Sequence, residues 1–281
     1  MLENESLKLL LDKAPDLNEI YKDLAQPAIR KLSIALETTI ELCNTTLLPI
    51  RLLNAKANTI YQKNIKKLSN ELEKIQLEDV TTIPPELGVP ILEKLSYTTN
   101  EEISNLFIQL LTKSSSTKTI HMAHPSYIKI IESISSDEAI LLSFLSRRKT
   151  AIPVLRHKLF SKEIINGYET FSYISIHTSM LEFTNEINLL FINNFAVYID
   201  NLIGLGLLEV NYTNFLPPES QYDEIDQKYR DSRSTDVTKI FNNDIHSRIE
   251  FDRGYVSLTQ FGIAFIKACI NSNQSDLVIN V

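Results

Sequence analysis

The chain has 281 residues, of which 43% are hydrophobic and 22% charged, with a formal net charge of −7. That apolar share can bury a sizeable core and excludes a disordered chain, whose composition is poorer in hydrophobic residues. The acidic balance argues against a whole-protein nucleic-acid binder, and no apolar run reaches the roughly 18 residues of a membrane span.

The start, "MLENESLKLL", has no basic segment and two early Glu residues, so no secretory signal is expected and a cytoplasmic location is. The first 87 residues contain no glycine, whereas Gly204, Gly206, Gly254 and Gly262 fall within the last 78. Glycine-free sequence rich in Leu, Ile, Lys and Glu favours helix, so residues 1–116 are predicted as an N-terminal helical domain. "ESLKLLLDK" suggests a first short helix. In "DLNEIYKDLAQPAIRKLSIALETTIELC", Leu17, Ile20, Leu24, Leu32, Leu36 and Ile40 recur at helical intervals, and Pro27 is expected to kink or divide the helix near Gln26. "LLPIRLLNAKANTIYQKNIKKLSNELEKI" reads as another long helix. "IPPELGVP" is a break whose prolines suit the first turn of the next helix. "TNEEISNLFIQLLTK" follows, with Thr99 and Glu102 spaced as a capping box. "SSSTKT" is a polar connector and the expected domain boundary.

A second domain is expected over residues 120–275. "HPSYIKIIESI" and "SSDEAILLSFL" read as helices, the latter with Ser135 and Glu138 as a capping box. "GYETFSYISI" alternates too weakly to assign. "NNFAVYIDNLIGLGLLEVNY" gives a helix, a glycine stop and a strand. Residues 217–244 are polar, show no period and read as a long loop insertion. "RGYVSLTQFGIAFIKACI" gives a strand then a helix, with Thr259 as the cap and Gly262 permitting close packing. Three helices, a strand, a polar loop and a strand follow the order of a winged helix with an enlarged wing. The predicted fold is therefore mainly α: a helical bundle followed by a winged-helix-like α+β domain with a small antiparallel sheet.

No phosphate loop, dinucleotide fingerprint, nucleophile elbow or HExxH pair occurs, so no catalytic residue, cofactor or metal is assigned. Cys43 and Cys269 belong to no CxxC pair and read as buried thiols. His121 and His124 could share a helix face but lack a third ligand, and His124 before Pro125 suits a helix start. His157, His177 and His246 stand isolated in the sequence. The acids of "ESQYDEIDQKYRD" lack the central glycine of a calcium loop and read as a solvated loop.

Two stretches carry alternatives. In "LSRRKTAIPVLRHKLFSK", Arg147, Arg148, Lys149, Arg156, Lys158 and Lys162 lie together without an acid. They read either as a solvated helix end and connector, or as a contact for nucleic acid, phosphate or an acidic partner. "SIALETTIELCNTTLLPI" reads as a buried bundle helix, or as a face for another protein or for a triggered membrane insertion, which Glu37 and Glu41 make costly. The helix within 193–203 has no Lys or Arg and cannot anchor to phosphates. Its apolar residues, Phe195, Tyr198, Ile199 and Leu202 among them, point to burial on more than one side and to an interface helix.

The chain resembles the abortive infection alpha (Abi-alpha) family of bacterial phage-defence proteins. The likeness rests on "YKDLAQPAIRKLSIAL" (21–36), "PELGVPILEKLSYTTNEEISNLFIQLLTKS" (85–114), "HPSYIKIIESISSDEAILLSFL" (124–145) and "LTQFGIAFIKACI" (258–270), in that order. The resemblance implies a role in abortive infection, in which an infected cell stops growing or dies before phage mature. It supplies no catalytic residues. The expectation is a cytoplasmic, non-enzymatic protein that meets a companion defence protein or a phage protein, with self-association open. Rival readings are a nucleic-acid-binding regulator acting through residues 145–162 and a membrane-perturbing effector acting through residues 33–50.

Overall fold

The computed structural model of the protein describes residues 26–43, 54–147, 151–180, 187–233 and 247–270. Helices α1 (Gln26–Cys43), α2 (Ala55–Leu72), α3 (Pro85–Leu95), α4 (Glu101–Ser114), α5 (Ser126–Glu132) and α6 (Ser136–Arg147) come first. Strands β1 (Ile152–Ile165) and β2 (Tyr168–Met180) follow, then α7 (Phe195–Gly204), β3 (Leu208–Asn211), α8 (Ser220–Arg233), β4 (Ser247–Leu258) and α9 (Gln260–Cys269). The chain is mainly α with one antiparallel sheet, whose strand order is β2-β1-β4-β3. Its contacts separate two compact units, one through Ser146 and again from Ala264, the other from Arg147 through Ile263.

The unit boundary does not lie at "SSSTKT". Thr81 N donates to Ser115 O (2.8 Å), Thr117 N donates to Asp79 O (2.9 Å), and Lys118 Nζ pairs with Asp79 (2.6 Å). The polar stretch is held by backbone bonds to a segment far away in sequence, which composition cannot reveal.

In the first unit, α2 begins later than its apolar pattern suggests. Asn54 caps it, accepting from Lys56 N (3.0 Å) and Ala57 N (3.3 Å). α3 opens on Pro85, as expected. The cap of α4 is Asn100, not Thr99: its side chain accepts from Ile103 N at 3.0 Å. At α6 the expected box forms, with Ser135 N donating to Glu138 (2.6 Å) and Glu138 N to Ser135 Oγ (3.3 Å). Leu32, Leu36, Leu68, Leu72, Ile91, Leu95, Leu110 and Leu141 are sealed from solvent and form the core of these helices. Tyr127 and Phe265 meet edge to face, with ring centroids 5.3 Å apart. His124 serves the start of α5, its Nδ1 accepting from Ser126 N at 3.1 Å.

The second unit holds two departures from the sequence reading. Residues 152–180, read as a connector and an unassigned stretch, form a long hairpin in which Ile165 faces Tyr168 and Val154 faces Met180. Asn166 (φ 54°) and Gly167 (φ 81°) make its turn, supplying the two left-handed residues that match the right-handed twist of the strands. The supposed loop at 217–244 contains α8 through Arg233, and residues 234–246 lie outside the described residues. α8 forms because Tyr222 and Ile225, three apart, bury one stripe against Leu155 of β1. The end of the unit follows expectation: Thr259 Oγ1 accepts from Gly262 N (2.8 Å), and a side chain at Gly262 would collide with the Leu207 backbone.

Candidate interaction surface

The structure does not gather the six predicted cations into one patch. Arg147 is exposed at the end of α6, while Arg148, Lys149 and the side chain of Lys162 lie outside the described residues. Arg156 and Lys158 stand on one face of β1 because strand residues alternate. Both are paired with Asp252, which sits opposite Arg156 on β4. Arg156 Nη2 lies 2.6 Å and Lys158 Nζ 2.8 Å from its carboxylate, and the Arg156 guanidinium lies 4.0 Å from the centre of the Tyr212 ring. Burial pushes the Asp252 carboxyl up, but the hydrogen bonds from Lys158 and Arg156 outweigh it and hold the group below its ordinary range. Two of the six cations are thus already engaged within the sheet.

The opposite face of β1 carries Leu155 and His157 and receives α8. His157, isolated in the sequence, is fully buried with Nε2 3.2 Å from Asp226 of α8. Tyr222 Oη donates to Gly254 O (2.8 Å) and accepts from Leu216 N (2.9 Å). Arg253 of β4 pairs with Glu219 (2.7 Å) and Asp223 (3.4 Å). These bonds fix α8 to the sheet.

On α7, Tyr198, Ile199 and Leu202 are buried and Phe195 is half-buried. The helix is not apolar-packed all round: Val197 is 64% exposed, and Asp200 faces outward. Leu190, Phe191 and Ile192 just before it are exposed as well.

Among the described residues of the second unit, a further apolar exposure lies at the hairpin tip. Ile164, Ile165, Tyr168 and Phe171 are 69, 52, 77 and 58% exposed. Ile165 opposes Tyr168, whereas Ile164 opposes Glu169 and Phe171 opposes Lys162, so both faces of the tip present apolar groups. The described pairing of β1 with β4 stops at Ser161, short of this tip. The sequence reading did not select these residues, although Asn-Gly between two apolar-alternating runs is the local signal of a hairpin.

Among the described residues no group of three or more His, Cys, Asp or Glu is placed to hold a metal ion. Among them, too, no helix is long and apolar enough to cross a membrane. No curated protein matches the chain. An uncharacterized protein from the hydrocarbon-degrading marine bacterium Alcanivorax borkumensis shares 15% identity over 50% of this chain and 90% of its own, with a TM-score of 0.34, too low to carry an argument. The model of the family described as abortive infection alpha matches residues 60–269. That span takes in the stretches at 85–114 and 124–145 and nearly all of 258–270, while 21–36 precedes it. With most of its length inside that match, the chain belongs to the abortive infection alpha family.

Proposed function

We propose that the protein serves phage defence as a cytoplasmic, non-enzymatic recognition protein, and that the β1–β2 tip docks on a companion defence protein or a phage protein. The observation that carries this reading is the cluster of Ile164, Ile165 and Tyr168, each more than half exposed around one turn. Single exposed apolar residues are ordinary, but a cluster on a projecting element marks an interaction site. β2 stands at one end of the strand order, and edge strands offer main-chain donors and acceptors to a partner. The nucleic-acid reading has less support. α7 carries no cation, and Arg156 and Lys158 share Asp252 instead of facing a phosphate.

The test is phage plating on cells that express the protein. The double variant Ile164→Ser, Tyr168→Ser is expected to lose about tenfold or more in protection, as loss of a docking anchor does. Its melting temperature should stay within a few degrees of wild type. Full protection by the folded double variant would refute the assignment of the tip.

A further inference from the structure

We infer that the second unit holds a site for one divalent transition-metal ion, zinc by its ligand types, made by His157 of β1, His177 of β2 and Asp226 of α8. The three are far apart in sequence, and the fold brings them to one place. His157 and His177 are direct partners in the β1–β2 register. Directly opposed residues of an antiparallel pair share a sheet face, with β carbons about 4.5–5.5 Å apart, a spacing from which two imidazoles can meet one ion. The face is the one on which Leu155 and His157 meet α8, and α8 packs on both β1 and β2.

The carboxylate is already in position. His157 Nε2 lies 3.2 Å from Asp226 Oδ1. Two atoms bound to one zinc at about 2.0–2.1 Å with tetrahedral angles stand roughly 3.3 Å apart, so an ion can join this pair with little movement. The side chain of His177 lies outside the described residues, and its place in the register supplies the third ligand. The hairpin adds a second observation. Its register shifts between His157 and Lys158: the next pair is Lys158 with Ser175, and Ile176 is left over. Such a bulge re-aims the side chain beside it and recurs next to functional sites. It falls at the His pair, and the rest of the register runs unbroken.

Chemistry selects the metal. Two imidazole nitrogens and one carboxylate oxygen suit zinc and its neighbours, whereas magnesium and calcium take oxygen ligands. The side chain of His157 is sealed, while that of Asp226 is 18% exposed and leaves a way in for the ion and for a water as a further ligand. Arg156 and Lys158, on either side of His157, stand on the other face with Asp252, so their charges do not face the ion. A plain His–Asp bond would need no second histidine. A bound ion ties α8 to both strands of the hairpin. None of its ligands belongs to the hairpin tip, so the site stands or falls separately from the proposed docking.

Equilibrium dialysis of the untagged, chelator-stripped full-length protein against zinc tests this, with bound metal counted per chain and Tm measured alongside. About one zinc per chain is expected, with a Kd of about 10 µM or tighter and a raised Tm. Magnesium at the same concentration should neither bind nor shift Tm. His177→Ala and Asp226→Asn are each expected to weaken zinc by about tenfold or more, whereas His121→Ala should leave it unchanged. Melts without metal report folding, and either folded variant decides. Absence of bound zinc and of any Tm shift at about 100 µM overturns the inference. So does magnesium binding as tight as that of zinc, undiminished zinc binding in a folded variant, or binding lost in His121→Ala instead.

Discussion

At Gly88 a methyl group would fall against the Thr39 side chain, where α3 meets α1. Thr39 is fully buried, and its hydroxyl has no hydrogen-bond partner among the described residues. Helix propensity alone would favour alanine there by about 1 kcal/mol. Overpacking acts the other way and wins, because a sealed Thr39 has nowhere to turn. Gly88→Ala is expected to cost about 1–3 kcal/mol, read as a lower denaturation midpoint; a raised midpoint would mean that propensity prevailed. On α7 the two sides separate cleanly. Leu202→Ala, at a sealed position, should cost about 2–5 kcal/mol, whereas Val197→Ala, at an exposed one, should stay within about 0.5 kcal/mol. Equal losses at both positions would show that Val197 is covered. At this scale the sequence was most legible where a bond is local. The Ser135–Glu138 box and the Thr259 cap span three residues and were readable. The cap of α4 was misplaced by one residue, because Thr99 and Asn100 are both competent and only the backbone chooses between them.

The elements that escaped reading share a cause. β1 shows no clean alternation because Ile152, Pro153, Val154 and Leu155 are all buried, with one face toward α8 and the other covered as well. A strand buried on both sides loses its period of two. α8 is so polar that only Tyr222 and Ile225 mark its inner stripe, and their value depends on Leu155, distant in sequence. The ion cluster of β1 and β4 predicts a pH dependence. Asp252 has a folded-state pKa below its unfolded one, so its contribution is present above the ordinary carboxylate range and is lost as pH falls through the lowered value. Asp252→Asn should therefore be less stable than wild type at neutral pH, with the gap closing below about pH 4. Denaturation midpoints across acid pH check this; a gap of constant size would mean that the charge of Asp252 is not what stabilises the pair of strands.

For the whole molecule, net charge and local pairing point the same way. The chain carries −7, and Arg156 and Lys158 share the carboxylate of Asp252. Nonspecific DNA binding requires cations that displace counterions from phosphates. The protein is expected to pass a DNA column unretained at about 0.15 M salt, near physiological ionic strength. Retention that weakens steeply as salt is raised would revive the regulator reading through Arg147 and its neighbours.

The sequence by itself determined the mainly helical class, the start of α3, the helix–glycine–strand succession of α7 and β3, and the family. These rest on propensity, short-range capping and the order of motifs, all of which are properties of contiguous residues. Tertiary structure alone decided that "SSSTKT" is bound into the first unit, that Arg156 and Lys158 are spent on Asp252, and that His157 meets Asp226. It also decided which apolar residues remain outside, leaving Ile164 and Tyr168 exposed while Leu202 is sealed. In each case the deciding partner lies tens of residues away. Hydrophobicity says that a side chain favours burial, but only the packed chain says whether anything is there to bury it.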